Sequence, residues 1–437
     1  MQIDKTTLHD LSIFHHDEEQ SVFHHLNFTK TNNGKERLFN ILAHPQSSIK
    51  DIEYTQQTIR ELIHLADLLP VTITNGTLMV MEKFYETPID SYPNSSNIVE
   101  SLTYKFLNSS DYSLTRYSVQ HFIVFLKGMR NFSELFGKAS SNQLQTWATR
   151  VHSLLNKPVA GKMMEKEDEK KLSVREVVLF GSFLRNHFHN QINDLINIYS
   201  HIDAYASLAT ACIRYGFSFP VFVESIAPRV FADNLFHLQL KEPVAYNIEI
   251  NEHKNFLFLT SANMGGKSTF IKALGIAVYL AHVGMGVPAK KMELSLFDGI
   301  LSNIQVVDNI IKGESFFFNE VQRIKHTVEK ISDDKKWLVL IDELFKGTNQ
   351  QDAIKCSITV IEGLRKMQNC LFVLSTHLYE IGDAVKHYSN IQFKYFETSV
   401  VDDQLVFSYQ MKDGISNDRI GYLILKREGV VDLLDKL

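Results

Sequence analysis

A run of small, basic and hydroxyl residues near the middle of the chain has the makeup of a phosphate cradle. The segment FLFLTSANMGGKSTF carries the octet Ser261, Ala262, Asn263, Met264, Gly265, Gly266, Lys267 and Ser268, followed by Thr269. The octet fits GxxxxGK[ST] except at its first position, where Ser261 replaces glycine. Gly265 and Gly266 let backbone N–H groups approach an anion without a Cβ in the way. Lys267 brings a point charge to the β- and γ-phosphates, and the Ser268 hydroxyl is a ligand for Mg²⁺. A helix starting at this point turns its positive N-terminal end toward the same anion. Ser261 adds a side chain where the turn usually has none, which strains the turn or slackens the grip on nucleotide.

Further along, LVLIDE ends an apolar run in Asp342 and Glu343. Two carboxylates delivered to one strand end suit a site of this kind: the first holds Mg²⁺ through water, and the second orients or deprotonates an attacking water. A solvated acidic pair is common by itself, and the phosphate loop upstream gives this one a use. Ser375, Thr376 and His377 follow the next apolar run, LFVL, and a histidine there can reach and sense a γ-phosphate.

These groups need a scaffold. FLFLTS (256–261), WLVLI (337–341) and LFVLS (371–375) are continuous apolar runs, as expected of parallel strands buried on both faces. PVFV and FHLQL, upstream of them, also have strand texture. The first half is different. Leu38, Ile41, Leu42, Ile59, Leu62 and Ile63 recur at helical spacing, with Pro45, Ser47 and Ser48 separating two runs. Residues 98–136, 141–156 and 174–212 have the same character. EKEDEKK (165–171) is a solvated charge run. The texture changes near residue 217. The expected architecture is multi-domain, with an all-α part over 1–217 and an α/β phosphate-loop part over 218–437.

Composition sets the outer bounds. The chain has 437 residues, 44% hydrophobic and 22% charged, which fits two or three globular domains. A net charge of −5 excludes a uniformly basic nucleic-acid coat but not a local basic groove. Cys212, Cys356 and Cys370 lack metal-type spacing and fit a reducing compartment. The histidine pairs 15/16 and 24/25 and the pair His187 and His189 have no companion ligands at defined spacing. The N-terminus lacks a signal-peptide pattern. The longest apolar stretch, 276–289, falls short of the ~20 residues a bilayer crossing needs. A soluble cytoplasmic protein is expected.

Five blocks, in order, resemble the ATPase domain of the MutS DNA mismatch-repair family: ANMGGKST, VPAKKMELSLFD (287–298), GESFFFNEVQRI (313–324), LVLIDELFKGTN (338–349) and STHLYEIGD (375–383). The first half is similar to the family's core, or lever, domain through TKTNNGKERLFNILAHPQSSIKDIEYTQQTIREL (29–62) and IDAYASLATACIRYGFSFPVF (202–222). ISNDRIGYLILKREGVVDLL (415–434) looks like the start of its helical dimerisation segment.

The resemblance implies a helical core domain over 1–217 and an ABC-type ATPase domain over 218–437. It implies that Asn263 to Thr269 hold ATP, that Ser268 and Asp342 serve Mg²⁺, that Glu343 is the catalytic carboxylate and that His377 is a switch histidine. Ser315 matches a signature serine that acts on the partner subunit's nucleotide, so the ATP sites would be composite and complete only in a homodimer. Asp308 matches an acidic position of the same region. Val244 stands where the family often has an aromatic near adenine, with Tyr246 close by.

The expected function is an ATP-driven dimeric clamp on DNA, in mismatch repair or a related pathway, alongside a repair-protein partner and away from membranes. Because the chain starts almost at the core domain, the family's mismatch-reading domain is not expected. DNA binding follows here from resemblance rather than charge, since Lys30, Lys35, Arg37, Lys162, Lys166, Lys170 and Lys171 read as ordinary solvated side chains. The alternative is a nucleotide-gated protein-interaction module without direct DNA contact.

Overall fold

The computed structural model describes residues 1–89, 92–93, 97–261, 265–305, 316–401, 404–416 and 429–434. The chain divides into two compact units. One comprises residues 26–43 and 54–213, and the other comprises 1–25, 44–53 and 214–437.

After α1 (Lys5–Asp10) and α2 (Val22–Leu26), the helices are α3 (Asn32–Ala43), α4 (Ile49–His64), α5 (Asn75–Glu86), α6 (Ile98–Leu107), α7 (Ser109–Phe136), α8 (Asn142–Leu155), α9 (Pro158–Met164), α10 (Val174–His187) and α11 (His189–Tyr215). The core of the helical unit is built on α7. Val119, Phe122, Phe125, Leu126, Met129, Phe132 and Phe136 follow helical spacing and are all buried. Phe122 meets Phe84 of α5 edge-on at 5.4 Å.

Two stretches that periodicity joins are broken in the structure. Asn108 leaves helical geometry between α6 and α7 (φ −119°, ψ 53°), and Phe188 does so between α10 and α11 (φ −130°, ψ 2°). Apolar spacing runs through both breaks because the flanking helices continue to feed the same core. α10 starts with a reciprocal capping box, in which Ser173 accepts from the Glu176 N–H and the Glu176 carboxylate accepts from the Ser173 N–H.

The other unit holds two sheets. Their strands are β1 (Gln2–Ile3), β2 (Val221–Phe222), β3 (Val230–Leu235), β4 (Tyr246–Ile250), β5 (Phe256–Thr260), β6 (Lys291–Leu294), β7 (Gly299–Asn303), β8 (Trp337–Asp342), β9 (Cys370–Thr376), β10 (Ile391–Val401) and β11 (Gln404–Asp413). The larger sheet has the order β1-β7-β8-β9-β5-β10-β11 and is parallel except for the β10–β11 pair. The smaller has the order β2-β6-β3-β4. Besides α1, the helices of this unit include α12 (Lys267–Val283), α13 (Phe316–Ile331), α14 (Gln350–Leu364), α15 (Tyr379–Val385) and α16 (Val430–Leu434). Every residue of β5, β8 and β9 is buried, as their unbroken apolar sequences require.

FHLQL does not form a strand. The strand lies immediately upstream in Val230–Leu235, whose alternating burial suits a sheet covered on one face. The first residues also join this unit. β1 pairs in parallel with β7, and the buried Asp10 of α1 accepts from Ser302 Oγ (2.6 Å) and Ile304 N (2.9 Å). Among the described residues, no helix is long and apolar enough to cross a membrane.

Candidate functional site

The order β8-β9-β5 puts three strand ends side by side. Thr260 pairs with Thr376, and Asp342 with Ser375, so the residues just after these positions share one edge of the sheet. α12 starts at this edge. Its N-cap, Gly266, has φ +106°, a region that L side chains rarely adopt. Glycine takes this left-handed backbone without a Cβ clash immediately before the first residue of the helix.

Lys267 opens α12 and is buried, with its ammonium donating to the Ser261 carbonyl (2.8 Å) and hydroxyl (3.3 Å). Burial lowers its pKa, while Glu343 and Asp342 counteract that shift. Ser268 Oγ donates to Asp342 Oδ2 at 2.5 Å, and Ser375 Oγ donates to Asp342 Oδ1. One carboxylate thus ties the helix start to two neighbouring strand ends.

Glu343 follows with φ +62° and Phe345 with φ +59°. This left-handed backbone turns the Glu343 carboxylate onto His377 Nε2 (2.7 Å) and Lys346 Nζ (2.8 Å). Burial pushes the Glu343 pKa up, but the hydrogen bonds from His377 and Lys346 prevail and hold it at about 2. At neutral pH the group is an anion and a hydrogen-bond acceptor.

A cavity of about 430 Å³ opens beside these groups, lined by Gly265, Gly266, Lys267, Ser268, Thr269 and Glu343 at one end, and by Leu240, Glu242, Val244, Tyr246 and Tyr409 elsewhere. Tyr246 is buried and meets Phe270 and Phe396 edge-on. Of the residues singled out from the sequence, Gly265 to Thr269, Asp342, Glu343 and His377 converge here. Asn263, Met264, Asp308 and Ser315 lie outside the described residues. Among the described residues no cluster of three or more His, Cys, Asp or Glu side chains forms a metal site. Ser268 and Asp342 supply a contacting pair of oxygens instead.

The structure adds three residues that the sequence did not single out for a role. Ser375 fixes the second oxygen of Asp342. Lys346 pairs with Glu343, and its spacing of three residues was a readable signal. Tyr409 reaches the cavity from β11, and a methyl on Gly266 would lie 3.4 Å from its ring. No local sequence pattern signals that contact.

Two family models match the chain: MutS domain III over residues 6–209 and MutS domain V over residues 257–432. Among similar proteins, the DNA mismatch repair protein MutS of Petrotoga mobilis is 28% identical over 267 residues, covering 60% of this chain and 32% of that protein. The MutS of Pseudothermotoga lettingae is 30% identical over 234 residues, covering 53% and 28%. The DNA mismatch repair protein MSH3 of Candida glabrata is 29% identical over 261 residues, covering 56% and 24%. The matched part thus spans about a third or less of the length of these relatives.

Proposed function

Since this chain belongs to the MutS family of DNA mismatch-repair proteins, we propose that it is a phosphate-loop, ABC-type ATPase that works as a cytoplasmic homodimer on DNA. The observation that carries the ATPase reading is the convergence of Lys267, Ser268, Asp342, Glu343 and His377 on one sheet edge at the start of α12, beside a cavity of about 430 Å³. The triphosphate lies over the N-terminus of α12, where N–H groups and the Lys267 ammonium offset its charge. Tyr246, Val244 and Tyr409 line the same cavity and offer apolar surface to the base.

Ser268 and Asp342 are hard oxygen donors of the kind Mg²⁺ takes, and their contact supports them as its holders. Bound there, the ion would neutralise charge on the β- and γ-phosphate oxygens. Glu343 accepts a hydrogen bond from the attacking water and aims it at the γ-phosphorus as the bond to the β–γ bridging oxygen breaks. With its pKa held near 2, Glu343 acts chiefly by orientation and charge. His377, on the other side of that carboxylate, is placed to respond when a γ-phosphate arrives and leaves. Ser315 of the partner subunit would complete each site, which makes hydrolysis depend on the dimer.

The DNA part of the proposal rests on the mismatch-repair relatives. It is tested by anisotropy at low salt on duplex, mismatched, branched and single-stranded DNA, each with ATP, ADP or no nucleotide. Binding to at least one of these that changes with nucleotide is expected. Absence of binding in every condition sinks the DNA part. The net charge of −5 favours one second reading, a nucleotide-gated module that binds protein rather than DNA. A protein partner captured with ATP and released with ADP, together with no DNA binding, would support it.

A further inference from the structure

α13 carries a buried carboxylate that the chemistry above leaves unused. Glu320 is 4% exposed, and its two oxygens accept from consecutive backbone N–H groups, Lys346 N at 3.0 Å and Gly347 N at 3.1 Å. Those amides belong to the turn that leaves Glu343, the same turn that contains the left-handed residues Glu343 and Phe345. Lys346, whose N–H Glu320 holds, sends its ammonium back to Glu343 Oε2 at 2.8 Å. Gly347 lies against the start of α13, where a methyl would come within 2.7 Å of Phe317 N.

α13 has a firm seat of its own. One turn from Glu320, Arg323 donates to Asn303 Oδ1 (3.2 Å), to the Ser302 carbonyl (3.0 Å) and to the buried Asp10 (3.4 Å). Three residues apart on one helix, Glu320 and Arg323 share a face. Arg323 grips the end of β7, and Glu320 grips the turn after β8.

We propose that Glu320 is a positioning residue for hydrolysis: its carboxylate builds the turn that returns Lys346 onto Glu343 and so sets where the Glu343 oxygens point. Two non-glycine residues in left-handed backbone within one short turn persist only where the surroundings over-determine them. A buried anion accepting two adjacent N–H groups is such a surrounding. The proposal rests on the ATPase reading, and its test separates the two.

Glu320→Gln keeps the volume but sets an NH₂ group against one of the two N–H donors. ATP turnover and ATP binding are measured for the parent, Glu320→Gln, Lys346→Ala and the double variant, with hydrogen exchange at the Lys346 and Gly347 amides as a second readout. Each single variant is expected to lower kcat about tenfold with KM for ATP within about twofold, and the double variant to lose little more than either single one. The two amides, protected in the parent, should exchange about tenfold faster in Glu320→Gln. Unchanged kcat, additive losses in the double variant, or unchanged amide exchange overturns the proposal. A parent without ATP turnover overturns the ATPase reading instead, and the exchange readout still decides whether Glu320 holds the turn.

Discussion

His282 lies at the end of α12 opposite Lys267, fully buried, and both of its ring nitrogens are engaged. Nδ1 is 3.1 Å from the Gln46 carbonyl and Nε2 is 3.3 Å from the Phe297 N–H. A carbonyl requires a proton on Nδ1, and an N–H requires a bare Nε2, so the site is built for the neutral ring. A second proton would point at the Phe297 N–H. Burial pushes the imidazole pKa down from 6.5 to about 4. The unfolded chain therefore takes up a proton below pH 6.5 that the folded chain refuses until about pH 4. The stability in question is complete above pH 6.5 and is lost as pH falls through that window. A difference of this size amounts to about 2 kcal/mol by pH 5 and about 3 kcal/mol at its limit.

The measurement is urea unfolding at pH 7.5 and pH 5.0 for the parent and for His282→Gln, which does not titrate. The chain has two tryptophans. In a Trp147→Phe background the remaining one, Trp337, is fully buried in β8 and reports the sheet unit alone. Other carboxylates and histidines, His237 among them, cancel in the comparison. The parent should lose about 2 kcal/mol more than His282→Gln over this range. Equal losses in the two proteins would refute the argument.

Two further outcomes follow from single contacts. Asp203 is buried in the helical unit and accepts from Lys30 N (2.9 Å), Thr31 N (2.9 Å) and Thr31 Oγ1 (2.7 Å), so Asp203→Ala strands three donors and should cost about 3 kcal/mol in denaturant unfolding followed by Trp147 fluorescence. Lys267→Ala removes the ammonium at the start of α12 and should weaken ATP binding at least about tenfold by equilibrium titration, a result that unchanged affinity would contradict.

The legible parts of the chain were those in which local pattern and tertiary role coincide. Unbroken apolar runs marked β5, β8 and β9 because burial on both faces leaves no room for polar alternation. The residues at their ends pointed to a candidate site because a glycine-rich GK[ST] pattern and a strand-end acidic pair are local in sequence. What stayed hidden depends on distant partners. β1 is two residues long and carries no period of its own, yet it extends the sheet by pairing with β7. The breaks at Asn108 and Phe188 fall within continuous helical spacing. Tyr409 reaches the cavity only because β11 folds back on β10. Glu320 carries no local signal of burial, and only the turn after Glu343 shows why it is buried.

On the proposed function, this sheet edge hydrolyses ATP with Glu343 directing the water. The direct measurement is steady-state ATP turnover and ATP binding by the parent and by Glu343→Gln. The parent should turn over ATP, and the variant should bind ATP with similar affinity, hydrolyse it at least about a hundredfold more slowly and accumulate as the dimer. Turnover by Glu343→Gln equal to that of the parent would contradict it.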